Sequence, residues 1–304
     1  QGSSTGDIVY KRWVADEGSN EWDLIGSPVA GQGISAFVSA NSSIADDGSQ
    51  YGIGVFSNDG STDTAAAMYT NYTTANVGAA GNFTAGQGYA MATDEDDTPG
   101  TTLDFTGTIR TTDLTDFAID DNTSGATNFG KFNLVANPFP SYLNANDDAH
   151  PSNNFLTVNI DADNLHDTYA SVYGYDGDGS FTAYNHSSPG SAVYIAPGQG
   201  FMVASDNTSS DTVSFTEKMQ TVNGTDDFID LGDKPAFDFG TGDFTISLWF
   251  QSSGNQLNKY IIAKFHGDKY PAFGIGTHDQ APSTGETKPY TFINDGGESI
   301  SVEA

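Results

Sequence analysis

AGQGYAMATD at residues 85–94 reads almost the same as PGQGFMVASD at residues 197–206. The shared GQG proves little alone, because the tripeptide also stands at Gly31–Gly33 with no counterpart elsewhere. Extending the comparison outward decides the matter. WDLIGSPV (22–29) aligns with FNLVANPF (132–139) at an offset of 110, each an aromatic-led apolar run closed by a proline turn. The GQG blocks align at an offset of 112, and LDFTGTI (103–109) aligns with VSFTEKM (213–219) at 110. Between them VFSNDGS (55–61) faces VYGYDGDGS (172–180), each a short aromatic strand running into an Asp-Gly turn. Four blocks in one order at nearly constant spacing identify a tandem duplication of a domain-sized unit, not a solenoid period.

Each block has a physical reading. The apolar runs are buried strands, ended by Pro28 and Pro138 because proline cannot donate to a sheet ladder. Asn137 precedes Pro138 and is pushed to extended geometry, a natural turn start. Pro197-Gly198 suits a type II turn, with glycine taking the positive φ. Beyond it the alternation puts Phe201 and Val203, or Tyr89 and Met91, on one face. Gly88 and Gly200 leave room for a neighbouring strand. Helical periodicity is not sustained anywhere, though ADDGSQ and SNNFLTVNIDADNLHD have room for a turn or a short helix. The predicted fold is all-β: antiparallel β-sandwich or jelly-roll-like modules at 1–128 and 129–220, with a further domain at 221–304.

Composition bounds the function. The chain has 304 residues, 40 Asp and Glu against 10 Lys and Arg, and a formal net charge of −30. Nucleic acid and anionic membrane surfaces are poor partners, since phosphate binding needs clustered cations. The acids are scattered, which suits a solvated surface, with cation binding or repulsion of neighbours as the functional alternative. Without cysteine there are neither disulfides nor thiolate metal sites. No apolar run reaches the ~18 residues of a membrane helix. Gln1 followed by GSSTGD fits a mature end left by signal cleavage.

Two resemblances sit on these residues. The order W-x-L-I-x-S-P-V, G-x-G-Y, L-x-F-x-G, F-N-L-V-x-N-P-F-P-S-Y-L, over roughly residues 8–220, resembles a β-rich region of proteins exported by the type IX secretion system. That resemblance implies export across the outer membrane, a place on the cell surface or in the medium, and no catalytic residues. From Thr221 the chain resembles the opening half of a laminin-G/concanavalin-A-like jelly roll. The residues that carry it are Gly242–Phe250, the preceding strand Asp227–Leu231, the strand Tyr260–Lys264 and FGIG at 273–276. The resemblance implies sugar binding at loops on the sandwich rim, at times through Ca²⁺, with Asp226, Asp227 and Asp243 as acids there. Half a sandwich leaves an open edge, so either a partner strand or a missing segment is expected.

No nucleophile–base pattern stands out. The five histidines, His150, His166, His186, His266 and His278, are scattered and read as exposed loop residues. Any carboxylate pair chosen from so many acids is uninformative. The chemical candidate is Ca²⁺: Asp176, Asp178 and Ser180 offer oxygens at alternate positions, as a hard cation wants. Asp59, Ser61 and Asp63 hold the matching turn of the first repeat. The competing reading is an Asp-Gly hairpin shaped by backbone needs alone. Asp63-Thr64-Ala65 and Asp211-Thr212-Val213 fit a short O-glycosylation pattern, and Asn71, Asn82 and Asn207 open N-x-S/T triplets.

The expected function is a non-catalytic, extracellular surface adhesin or structural scaffold. Its partner is a glycan or surface protein, and self-association by strand addition into filaments is open to it. The alternative is an accessory region of a secreted polysaccharide-degrading enzyme.

Overall fold

The computed structural model describes residues 6–19, 22–58, 68–122, 129–177, 179–187, 191–206, 211–221, 259–266, 270–279, 287–294 and 299–303. The chain divides into two units, Gln1–Ile229 and Asp230–Ala304. Every paired strand among the described residues is antiparallel within its sheet, and the fold is an all-β sandwich type.

In the first unit the first repeat carries β1 (Ile8–Ala15), β2 (Asp23–Ile25), α1 (Ile34–Ala40), β3 (Gln50–Phe56), β4 (Tyr69–Thr73), β5 (Tyr89–Met91) and β6 (Gly100–Gly107). The second carries β7 (Leu114–Ile119), β8 (Phe132–Ala136), β9 (Tyr142–Asn144), α2 (Phe155–Asp161), β10 (Ser171–Tyr175) and β11 (Phe181–Asn185). It continues with β12 (Tyr194–Ile195), β13 (Gly200–Ala204), β14 (Asp211–Phe215) and β15 (Gln220–Thr221). One four-stranded sheet runs β2-β5-β3-β4, and the other runs β8-β13-β10-β11. With the sequence offsets applied, these are the same order. Ribbons β1-β6 and β7-β14 also correspond, while β9 pairs with β12 and β15.

The ribbons cross the expected boundary at 128. β7 lies before it yet pairs with β14, so the second repeat begins by Leu114. The four matched blocks start only at Phe132, and β7 has no block that would reveal it.

The side chains correspond as closely as the strands. Phe37 of α1 lies against Phe105 of β6, ring centroids 4.5 Å apart, and Phe155 of α2 lies against Phe215 of β14 at 5.1 Å. All four are fully buried, one pair in each repeat's own core. Each such side chain contributes roughly 1.5–3 kcal/mol by leaving water. Asn41 then clasps the strand that Phe105 belongs to. Its amide donates to the Phe37 and Asp104 carbonyls at 2.9 and 3.1 Å, and its Oδ1 accepts from the Asp104 N–H at 2.7 Å. Asn159 does the same in the second repeat, donating to Phe155 and Ser214 carbonyls and accepting from the Ser214 N–H. α1 was not legible because seven residues are fewer than two helical repeats. α2 sits inside SNNFLTVNIDADNLHD, whereas ADDGSQ forms Asx turns through Asp46 and Asp47.

The GQG blocks join the two repeats. Gly86 and Gly198 have φ of 81° and 66°, and each sits third in a four-residue turn closed by Gln87 N–H to Thr84 O and by Gln199 N–H to Ala196 O. These are the type II turns the Pro-Gly pair predicts. The glutamines then bridge across: Gln87 pairs with Val135 of β8, and Gln199 with Ile25 of β2. Ala136 N–H donates to Gly86 O at 2.8 Å, and Gly26 N–H donates to Gly198 O at 2.9 Å. Finally a Cβ on Gly88 would meet Leu134 Cγ at 2.6 Å, and one on Gly200 would meet Leu24 backbone and Cβ at 2.7–2.9 Å. Each contact has its counterpart made from the other repeat.

Around this seam the two four-stranded sheets pack face to face. Leu24, Ala90, Leu134 and Met202 form the buried centre, flanked by Trp22, Phe56, Tyr69, Phe132, Tyr173 and Tyr175. Burial, reinforced by nearby Tyr175, holds the Tyr69 phenol well above its ordinary pKa. β2, β5, β8 and β13 are therefore apolar on both faces: Ile25 and Tyr89 turn into one core, Val135 and Phe201 into the other.

The second unit is a meander of β16 (Lys259–His266), β17 (Tyr270–Asp279), β18 (Thr287–Asn294) and β19 (Ser299–Glu303) in sequence order. The predicted strand Tyr260–Lys264 lies within β16, and FGIG within β17. Gly242–Phe250, Asp227–Leu231 and the acids Asp226, Asp227 and Asp243 lie outside the described residues.

Two predictions follow from the seam and the clasps. Gly200→Ala should cost about 1–3 kcal/mol in urea unfolding, as overpacking does, and more than Gly88→Ala. The reason is that a Cβ on Gly200 would meet Leu24 backbone at 2.7 Å, whereas on Gly88 the tightest contacts are with the Leu134 side chain and backbone comes no nearer than Val135 O at 3.1 Å. Asn41→Ala and Asn159→Ala should each lower stability by roughly 2–3 kcal/mol, since each orphans several buried backbone groups. Equal stability of either variant with the parent chain would remove the clasp.

Candidate functional site

The expected Ca²⁺ loop is a hairpin turn where it is described. Asp176 N–H donates to Ser180 O at 3.1 Å, and Gly177 and Gly179 take φ of 84° and 90°. The Asp176 carboxylate accepts from the Ser180 and Thr182 hydroxyls at 3.2 and 3.0 Å. Those bonds close the β10–β11 connection, and an Asp-Gly turn needs no ion to form. Asp178, Asp59, Ser61 and Asp63 lie outside the described residues.

The acids that do converge are different ones. Asp163, Asp167 and Asp206 place a carboxylate oxygen each within 4.8 Å of one another, all exposed. Three local features assemble them. α2 ends and the chain turns through Asp163 at φ 59°, with Asn164 N–H returning to Asn159 O. His166 N–H then donates to Ala204 O at 2.9 Å, which holds this loop against the end of β13, where Asp206 follows. The His166 ring lies 4.7 Å from that of Tyr169, and buried Lys131 reaches 3.4 Å from His166 Nε2. Desolvation first, then Asp211, Asp163 and Asp167, raise the Asp206 pKa. Sequence reading missed the group because its members come from two separated segments with no motif spacing. Three carboxylates at this separation repel one another and would accept a hard, oxygen-seeking cation.

The histidines also differ from expectation. His150, His166 and His186 are half-buried and hydrogen-bonded, while His266 and His278 lie in β16 and β17 rather than in loops. His186 Nε2 sits 3.0 Å from Asp147 Oδ1 and 2.9 Å from Thr157 Oγ1. A relay from nucleophile through imidazole to carboxylate uses both ring nitrogens. Here both partners share one nitrogen, and Thr157 Oγ1 donates directly to Asp147. Asn154 caps α2 by accepting from Thr157 N–H at 2.8 Å, so the cluster anchors the start of that helix.

Two hollows on the described surface carry aromatic side chains. The larger, about 300 Å³, is lined mainly by Val172, Tyr184, Val193, Tyr194, Ile195 and Phe201. The smaller, about 170 Å³, brings Glu17 and Asp47 beside Trp22 and Tyr51. Burial, then Asp94, Glu95 and Asp47, raise the Glu17 pKa. Of the glycosylation patterns, Asp211-Thr212-Val213 falls in β14, where Asp211 is buried and accepts from the Ser205 hydroxyl at 2.7 Å.

Comparison with known proteins places residues 1–236 within the model of one family, described as Domain of unknown function (DUF8693). No curated protein and no solved structure matches the chain.

The raised Asp206 pKa sets a pH test. The folded chain retains a proton that the unfolded chain has already lost, so ionised Asp206 opposes folding above its folded pKa. That opposition fades as pH falls through the raised value. Asp206→Asn should therefore raise the melting midpoint at pH 7 and shrink the gain seen on acidification toward about pH 4. A variant with an unchanged midpoint and unchanged pH profile would show that the three carboxylates do not interact.

Proposed function

The chain belongs to the family described as Domain of unknown function (DUF8693), and from its geometry we propose that it works as an extracellular, non-catalytic surface adhesin or scaffold. The observation that carries this reading is the reciprocal seam. It merges two domain-sized repeats into one body through three apolar clusters, one in each repeat and one shared between them, which supports a spacer role. Apolar faces that separate modules would expose are spent on one another, leaving an acid-rich exterior of net charge −30. Such a surface stays soluble and keeps neighbouring copies apart. The resemblance to proteins exported by the type IX secretion system supports a place outside the outer membrane. Among the described residues no helix is long and apolar enough to cross a membrane.

The spacer carries a binding function toward a glycan or surface protein. Ca²⁺ belongs to this reading as a stabilising ion, with Asp163, Asp167 and Asp206 as its best seat.

Two measurements test the proposal. A glycan array combined with a reducing-sugar assay on the same purified chain should show binding without turnover; release of reducing ends would replace the adhesin by a polysaccharide-degrading enzyme. Ca²⁺ at millimolar concentration should raise the melting midpoint of the parent chain and leave that of Asp206→Asn unmoved. A parent chain indifferent to both Ca²⁺ and chelator has no such ion.

A further inference from the structure

Among the residues of the first unit whose burial is described, two large apolar side chains stand more than a third exposed: Phe181, at 42%, and Trp13, at 50%. Phe181 is engaged by the Tyr175 ring across the β10–β11 hairpin, centroids 5.1 Å apart. Trp13 has no such ring contact among the described residues. A single exposed apolar side chain needs no explanation by itself. The setting of this one is what calls for a reading.

Trp13 lies on the outer face of the β1-β6 ribbon, opposite Thr102. Its benzo ring rests beside Gly100: a Cβ there would come 2.8 Å from Trp13 Cζ2. Gly100 has φ of 138°, a backbone that side-chain-bearing residues rarely adopt, and a Cβ there would also collide with the Val14 and Ala15 backbone, so the strand backbone itself calls for glycine where the indole rests. Two residues back, on the same face, Lys11 pairs with Asp104, Nζ to Oδ1 at 3.2 Å, their side chains 68% and 41% exposed. Exposed Thr102 and Thr106, with half-buried Val9 opposite Thr106, complete the face. Along the strand Trp13 and Lys11 are about 7 Å apart, the scale of one sugar ring.

On the reading of the chain as an adhesin, we infer that this ribbon face is a glycan-binding platform for neutral oligosaccharides. The indole supplies a surface for the apolar C–H face of a pyranose. Lys11 donates and Asp104 accepts hydrogen bonds from ring hydroxyls, the mixed chemistry that a polyol needs. Charge selects the ligand class, because a chain of net charge −30 repels uronate-rich or sulfated glycans. A protein partner fits less well. A stable protein interface buries roughly 800 Å² per side around several aromatic anchors, and this face offers one.

The test is calorimetric titration of the full chain and its Trp13→Ala and Trp13→Phe variants with cellohexaose, mannohexaose and hexagalacturonate. At least one neutral hexamer should bind the parent chain. Trp13→Ala should weaken it roughly tenfold or more, and Trp13→Phe should keep most of the affinity. The half-exposed position leaves the fold intact, which unchanged melting curves of both variants will check. Equal affinity of Trp13→Ala, preference for hexagalacturonate, or no binding of any hexamer overturns the platform. Equal affinity leaves the adhesin reading standing with its site elsewhere. Cleavage of a hexamer in the same samples would remove the non-catalytic reading while the dependence on Trp13 stayed readable.

Discussion

The absence of a side chain at Gly88 and at Gly200 governs this architecture. Each glycine admits a leucine of the other repeat, Leu134 or Leu24, to a distance at which any Cβ would collide. Close approach brings Gln87 and Gln199 into ladder contact with Val135 and Ile25, and so lets two four-stranded sheets share one apolar layer. Because the contacts are reciprocal, one solution to the packing problem was used twice. That economy also explains the length of the echo between AGQGYAMATD and PGQGFMVASD. Turn glycine, bridging glutamine and packing glycine each do one job, in that order. Gly31–Gly33 shows the contrast: there Gln32 Oε1 accepts from Thr106 N–H and Gly33 precedes α1, within one repeat.

Away from the seam each repeat keeps its own core, and there the polar side chains matter as much as the aromatic ones. Asn41 and Asn159 are buried, yet every strong donor and acceptor on them is used on backbone. A buried amide is tolerated because it replaces water for groups that the short helices and bending strands leave unpaired. The same logic places Asn137, fully buried, between the carbonyls of Ser141, Ile195 and Ala196. These asparagines fix register where apolar packing alone would permit sliding.

Electrostatics adds a second theme. Cations are few; among the described residues Lys11 and Asp104 form an ion pair, and His186 Nε2 meets Asp147 Oδ1 at 3.0 Å. Carboxylates instead bond to backbone and hydroxyl groups, as Asp47 does with Ser49 and Gln50, which lowers its pKa. At Asp206 and Glu17 burial first, then neighbouring carboxylates, raise the pKa.

The sequence by itself determined the duplication, the all-β class, the turn at Pro197-Gly198 and the inward faces of β5 and β13. Each of these is written in local spacing: period two, Pro-Gly chemistry, and blocks repeated in order. Tertiary structure alone decided the partner of β7, the clasps of Asn41 and Asn159, the meeting of Asp163 and Asp167 with Asp206, and the exposure of Trp13. Those depend on residues brought together from distant parts of the chain, and on which face of a ribbon the core leaves uncovered. An aspartate in a loop reads the same whether it stands alone or beside two others, so the meeting of carboxylates at Asp206 could not be read from one segment.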